Sequence, residues 1–224
     1  MEEADSPVYL HLDYRAGVEL GDAKAPSLLT TVVVDERDVD TTEADGVALC
    51  AFLASRRVLS LEFFTGHLQH SPLFQAIVRR GVGSQLSRFR LWCETSWTAG
   101  LAVFLASHVG LIAVDIGCYG RACRGLALAL ARVRTRTARP VHAVRELYLR
   151  SESANFFTGG IGSLCEMINL HQATLNKLVL VPLPNKALCD VFQVLHCARV
   201  LTRLEICSGM HFDPRFANLL PNRF

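Results

Sequence analysis

Leu175-Asn176-Lys177-Leu178-Val179-Leu180 sets three leucines at spacings of three and two. The same spacing, with Val, Ile or Phe admitted, recurs along the chain. Upstream copies are Leu29-x-x-Val32-x-Val34, Val58-x-x-Leu61-x-Phe63, Leu86-x-x-Phe89-x-Leu91, Leu111-x-x-Val114-x-Ile116 and Val144-x-x-Leu147-x-Leu149. Leu201-x-x-Leu204-x-Ile206 follows, and Leu10-x-Leu12 is a partial copy near the start. The middle positions 32, 61, 89, 114, 147, 178 and 204 lie 29, 28, 25, 33, 31 and 26 residues apart. That recurrence organises the reading of everything else.

Each copy is short, apolar and rich in β-branched residues, so it reads as a strand. The intervals read as helices. Thr42 with Asp45 three residues on predicts a capped helix running to about Ser55 and burying Val47, Leu49, Cys50, Phe52 and Leu53. Further helices are predicted over 72–80, 98–107, 122–134, 161–170 and 186–196. Two units agree outside the strand as well: Val103 to Ile116 aligns without gaps on Gln193 to Ile206. Strands alternating with helices predict parallel strands joined by helical crossovers. One such unit cannot bury its apolar face alone, and stacking the units builds a continuous core between a strand layer and a helix layer.

The pattern resembles the leucine-rich repeat family, of the ribonuclease-inhibitor-like type. The resemblance covers residues 7–207 and implies an α/β solenoid curved into an arc, with a parallel β-sheet on its concave face and α-helices on its convex face. The chain, 1–224, then reads as a single domain of seven to eight β-α repeats, poorly capped at both ends. One departure is plain. The family places Asn or Cys three residues after the last core Leu, where this chain has Arg37, Gly66, Glu94, Tyr119, Glu152, Leu183 and Gly209.

Half of the 224 residues are hydrophobic and a fifth are charged, the balance of a folded core rather than a disordered chain. A net charge of +2 gives no general argument for nucleic acid or membrane. The acidic start lacks the pattern of a secretory signal. The most apolar run, 101–117, contains His108 and Asp115 and is short for a membrane span. There is no Asn-x-Ser/Thr acceptor, and most of the eight cysteines sit in apolar runs, where thiols act as small hydrophobes. A cytoplasmic, reduced protein is the expectation.

Strand periodicity sends alternate side chains to the face away from the helices. Those positions include Val33, Asp35, Glu62, Phe64, Arg88, Arg90, Trp92, Ala113, Asp115 and Gly117, then Glu146, Tyr148, Arg150, Lys177, Val179 and Val181. Phe64, Arg88, Arg90, Trp92, Asp115, Tyr148, Arg150 and Lys177 are the candidate partner-binding residues, because aromatic side chains and Arg anchor protein interfaces. The competing account is that exposed strand positions favour Trp and Tyr for their β-propensity alone.

Other motifs carry less. The basic run from Arg132 to Arg139 closes a predicted helix, where cations suit the negative end of the dipole. Gly159-Gly160-Ile161-Gly162-Ser163 opens a predicted helix but lacks both the phosphate-loop Lys and the dinucleotide spacing. Cys189, His196, Cys197, Cys207 and His211 match no standard zinc spacing, and core thiols account for them better. No catalytic, cofactor-binding or metal-binding residue is assigned.

The expected function is therefore a non-catalytic protein–protein interaction module of scaffold or substrate-recognition type. It would need no cofactor, take another protein as partner, and leave self-association through open solenoid ends as a further expectation. The resemblance also admits a fragment of a larger leucine-rich repeat receptor or ubiquitin-ligase adaptor. No F-box is visible, because fewer than ten residues precede the first strand. An α/β enzyme is the alternative from another class, and it would require a reactive Cys or His in a deep pocket at strand ends.

Overall fold

The seven middle positions stand side by side. In the computed structural model, Val32 pairs with Leu61, Leu61 with Phe89, Phe89 with Val114, Val114 with Leu147, Leu147 with Leu178 and Leu178 with Leu204. Leu10 joins the row beside Val32. The structure describes residues 9–13, 28–81, 85–95, 98–118, 144–151, 160–181, 183 and 185–206. The predicted helix 122–134 and the basic run 132–139 lie outside these residues, as do Cys207 and His211.

The strands are β1 (Tyr9–Asp13), β2 (Leu28–Asp35), β3 (Arg57–His67), β4 (Arg88–Thr95), β5 (Ala113–Cys118), β6 (Glu146–Arg150), β7 (Lys177–Val181) and β8 (Arg203–Ile206). They form one sheet in sequence order, and every pairing is parallel. The described helices are α1 (Glu43–Ala54), α2 (Pro72–Arg80), α3 (Thr98–Ser107), α4 (Ile161–Leu170) and α5 (Asn185–Leu195). The chain is thus α/β, with each described helix between two consecutive strands.

Most strands begin later than the apolar pattern. Leu86, Leu111, Val144 and Leu175 are buried, yet they stand just before their strands rather than in them. The reason lies in a recurring hydrogen-bond device. The carbonyl of Ser87 accepts from both Ile112 and Ala113, that of Ile112 from Arg145 and Glu146, that of Arg145 from Asn176 and Lys177, and that of Asn176 from Thr202 and Arg203. Each entry turn thereby satisfies two amides of the next unit before the regular ladder starts. At the other end β3 and β4 run past the pattern, and Thr65 pairs with Cys93 and His67 with Thr95.

Helix positions follow from local chemistry. Thr42 caps α1 in a complete capping box: its hydroxyl accepts from the Asp45 amide, and the Asp45 carboxylate accepts from the Thr42 amide at 2.8 Å. Ser71 caps α2, accepting from the Phe74 amide at 2.8 Å, with Pro72 in the first turn. Gly81 ends α2 at φ 77°, a conformation that favours glycine. Gly46 is buried where α1 meets α2, and a Cβ there would stand 2.8 Å from both the Ala76 Cβ and the Pro72 carbonyl oxygen. The two helices can approach this closely only without that side chain.

The core is one cluster shared by strands and helices. An aromatic chain crosses its layers: Phe63 of β3 meets Phe74 of α2 edge-on at 5.4 Å, Phe74 lies 5.7 Å from Phe104 of α3, and Phe104 lies 4.4 Å from Phe89 of β4. Leu49, Phe52, Leu53 and Cys50 are buried as expected, whereas Val47 is half-buried. Leu147 sits at the centre of a three-strand stretch and is fully buried. Leu147→Ala is expected to lower unfolding free energy by about 2–5 kcal/mol, read from the urea midpoint, and a loss under about 1 kcal/mol would show that the row is loosely packed.

Candidate docking face of the sheet

The face opposite the core carries three parallel rows, set by the same register. The middle row is Val33, Glu62, Arg90, Asp115, Tyr148, Val179 and Glu205. The row toward the strand starts holds Ser60, Arg88, Ala113, Glu146, Lys177 and Arg203. The row toward the strand ends holds Asp35, Phe64, Trp92, Gly117, Arg150 and Val181. All eight candidate residues lie in these rows.

Six of them, Arg88, Arg90, Asp115, Tyr148, Arg150 and Lys177, line one shallow depression of about 390 Å³. Phe64 and Trp92 do not line it and stand in the neighbouring row. Glu62 and Glu146 do line it and were not among the candidates. Their signal was in the sequence, at the same alternate positions as the eight candidates.

The depression is a charge lattice. Arg90 reaches Glu62 Oε2 through Nη1 and Asp115 Oδ2 through Nε, each at 3.4 Å. Arg150 Nε lies 3.8 Å from Asp115 Oδ1, and Arg88 Nη2 lies 3.8 Å from Glu146. Tyr148 donates its hydroxyl to Glu146 Oε2 at 3.1 Å. Its ring carries two cations, with the Arg150 guanidinium carbon 5.2 Å and Lys177 Nζ 4.7 Å from the centroid. Burial raises the Asp115 pKa, and this outweighs the opposing pull of Arg150 and Arg90.

Several positions expected to be open are covered. Val33, Asp35, Ala113, Gly117 and Val179 are buried, although they point away from the helices. At Gly117 the cause is direct: the Trp92 ring packs against it, and a Cβ there would come within 2.1 Å of the ring carbon Cε3. Asp35 is held by Arg37, which donates through its amide, Nε and Nη2, the last at 2.6 Å. Arg37 also lies over the Phe64 ring at 5.3 Å. Val179 stands in the row between Tyr148 and Glu205, and longer cross-strand neighbours shade a short side chain.

A second depression of about 410 Å³ opens at the ends of β2, β3 and β4, lined by Glu36, Asp38, Asp40, His67, His70 and Glu94 among others. Glu36 is buried beneath it, with Oε2 accepting from the Thr41 hydroxyl at 3.0 Å. Burial raises the Glu36 pKa above its ordinary 4.5, against the hydroxyls of Ser71, Thr65 and Thr41, which favour the charged form. Among the described residues no group of His, Cys, Asp and Glu is arranged to hold a metal ion. Cys189 and Cys197 are exposed rather than core thiols, and Cys50 and Cys93 are buried. Among the described residues no helix is long and apolar enough to cross a membrane.

Comparison of the chain with family models, curated proteins and solved structures finds no match.

Two outcomes are expected. Gly117→Ala, in a Trp97→Phe background, should lift the Trp92 ring off the sheet and shift its fluorescence to the red; an unchanged spectrum would show that the ring does not rest there. For Glu36 the folded pKa exceeds the unfolded one, so the folded state keeps the proton longer and stability falls as pH rises through the window above 4.5. The melting temperature of Glu36→Gln relative to wild type should therefore climb between about pH 4 and about pH 7. A flat difference across that range would contradict the assigned burial effect.

Proposed function

We propose that the chain is a leucine-rich repeat solenoid, curved into an arc, that works as a non-catalytic interaction module. It grips another protein with the helix-free, concave face of its sheet. What supports the repeat reading is the unbroken register of the middle positions from Leu10 to Leu204 and the sequential parallel strand order. A crowded strand layer beside a wider helix layer bends such a stack.

The observation that carries the function is the composition of the depression on that face. It combines three Arg side chains, Lys177 and a cation-flanked Tyr148 over the centre of the sheet, a set suited to anchoring a partner. Arg and Tyr bring large contact areas and directional donors at modest entropic cost. The depression is shallow rather than the deep pocket at strand ends that an enzyme reading calls for. A cytoplasmic location, with reduced thiols, accords with this role.

The test is affinity capture from native extract with wild type and with Trp92→Ala/Tyr148→Ala. A specific band is expected with wild type and with a helix-side control, Arg79→Gln, and is expected to be lost with the double variant. The double variant should keep its melting temperature within about 4 °C of wild type. A band retained by the double variant would refute the proposed face.

A further inference from the structure

We infer that the depression at the centre of the sheet receives an acidic segment of a protein partner, and that Asp115 is a resident carboxylate holding the place of the partner's. This deepens the docking reading above and rests on it. Among the described residues the charges lining the depression do not cancel: Arg88, Arg90, Arg150 and Lys177 face the three carboxylates of Glu62, Asp115 and Glu146. The pairs are also loose. Separations of 3.4 to 3.8 Å exceed the roughly 2.7–2.9 Å of a well-made guanidinium–carboxylate hydrogen bond. Arg90 divides itself between Glu62 and Asp115, and Arg88 and Arg90 keep much of their surface exposed. These guanidiniums therefore have donors to give to a further acceptor, and a carboxylate fits their planar fork.

Asp115 marks the place that a partner's carboxylate would take. Its two oxygens face two different guanidiniums, Oδ2 toward Arg90 and Oδ1 toward Arg150. The strand register sets these two cations on either side of it, across β4, β5 and β6, so Asp115 occupies the acceptor position between them. The side chain is largely buried, and its raised pKa means that these pairs only partly compensate its lost hydration. An incoming carboxylate meets cations already gathered, and it competes with a poorly compensated resident. Tyr148 sits between Arg150 and Lys177, so an acidic segment lying along the middle row contacts its ring as it pairs with both cations. The second depression is lined, among the described residues, by Glu36, Asp38, Asp40 and Glu94 with His67 and His70 but no Lys or Arg, and would repel the same segment, confining it to the centre.

The test uses the full chain and a fluorescein-labelled poly-Glu peptide, read by fluorescence polarisation at low and moderate salt, with poly-Lys and an oligothymidylate of matched charge as comparators. Poly-Glu should bind and poly-Lys should not. Arg90→Gln or Arg150→Gln should each weaken binding about tenfold, and Arg79→Gln on α2 should leave it unchanged. Asp115→Asn, which keeps shape and removes the competing charge, should tighten binding about threefold or more. Weaker or unchanged binding by Asp115→Asn overturns the role given to Asp115. Poly-Glu binding that ignores Arg90 and Arg150, or an oligothymidylate that binds as well with the same Arg dependence, overturns the acidic-partner inference. If capture from extract still depends on Trp92 and Tyr148 in that event, the docking face stands and only the partner's chemistry is wrong. If poly-Glu behaves as expected while capture ignores Trp92 and Tyr148, the acidic site stands and the broader face is wrong.

Discussion

Val32, Leu61, Phe89, Val114, Leu147 and Leu178 are all essentially inaccessible to solvent, and each is the neighbour of the next across the sheet. This row is what the molecule depends on. A parallel strand cannot turn back on itself, so each of these side chains needs a crossover to bring its neighbour alongside. The crossovers seen are helices whose own apolar residues close the same core. Slipping one strand by a single residue would send its apolar set to the bare face and a charged set inward. Register is therefore enforced by burial at every strand at once.

That constraint also builds the charged face of the sheet. Once the middle positions are locked, the alternates have no freedom about which rows they occupy. Arg90 of β4 and Asp115 of β5 become neighbours because Phe89 and Val114 are. Arg150 joins from β6, one row on, and Lys177 from β7 reaches the Tyr148 ring. Residues far apart in the chain form one charge lattice as a by-product of apolar alignment. The electrostatics of the site are thus inherited from the core.

The bare face is not uniformly open. Trp92 packs against Gly117, and Arg37 folds back to Asp35 and Phe64. These contacts smooth the row near the strand ends and leave the relief near the sheet centre, where Arg, Glu and Tyr stand together. Phe64 and Trp92 beside the Asp35–Arg37 pair in one row, and charged relief in the next, give the face both aromatic and charged surface, the mixture that protein interfaces use.

Spacing and capping located a strand in each copy of the pattern, the helices 72–80, 98–107 and 161–170 and the Thr42 cap, because burial periodicity and capping are local chemistry written in adjacent residues, whereas the exact strand bounds and register came only from the assembled sheet. Spacing also placed all eight candidate residues on one face, since side chains alternate without exception along a regular strand. What it could not reach was which outward positions remain exposed, and which charges meet. Val179 and Gly117 are covered by neighbours from other strands, and Glu62 and Glu146 enter the depression through cross-strand pairs. Those outcomes depend on side-chain sizes and rotamers on adjacent strands some 30 residues away, which only the assembled sheet brings within a few ångströms.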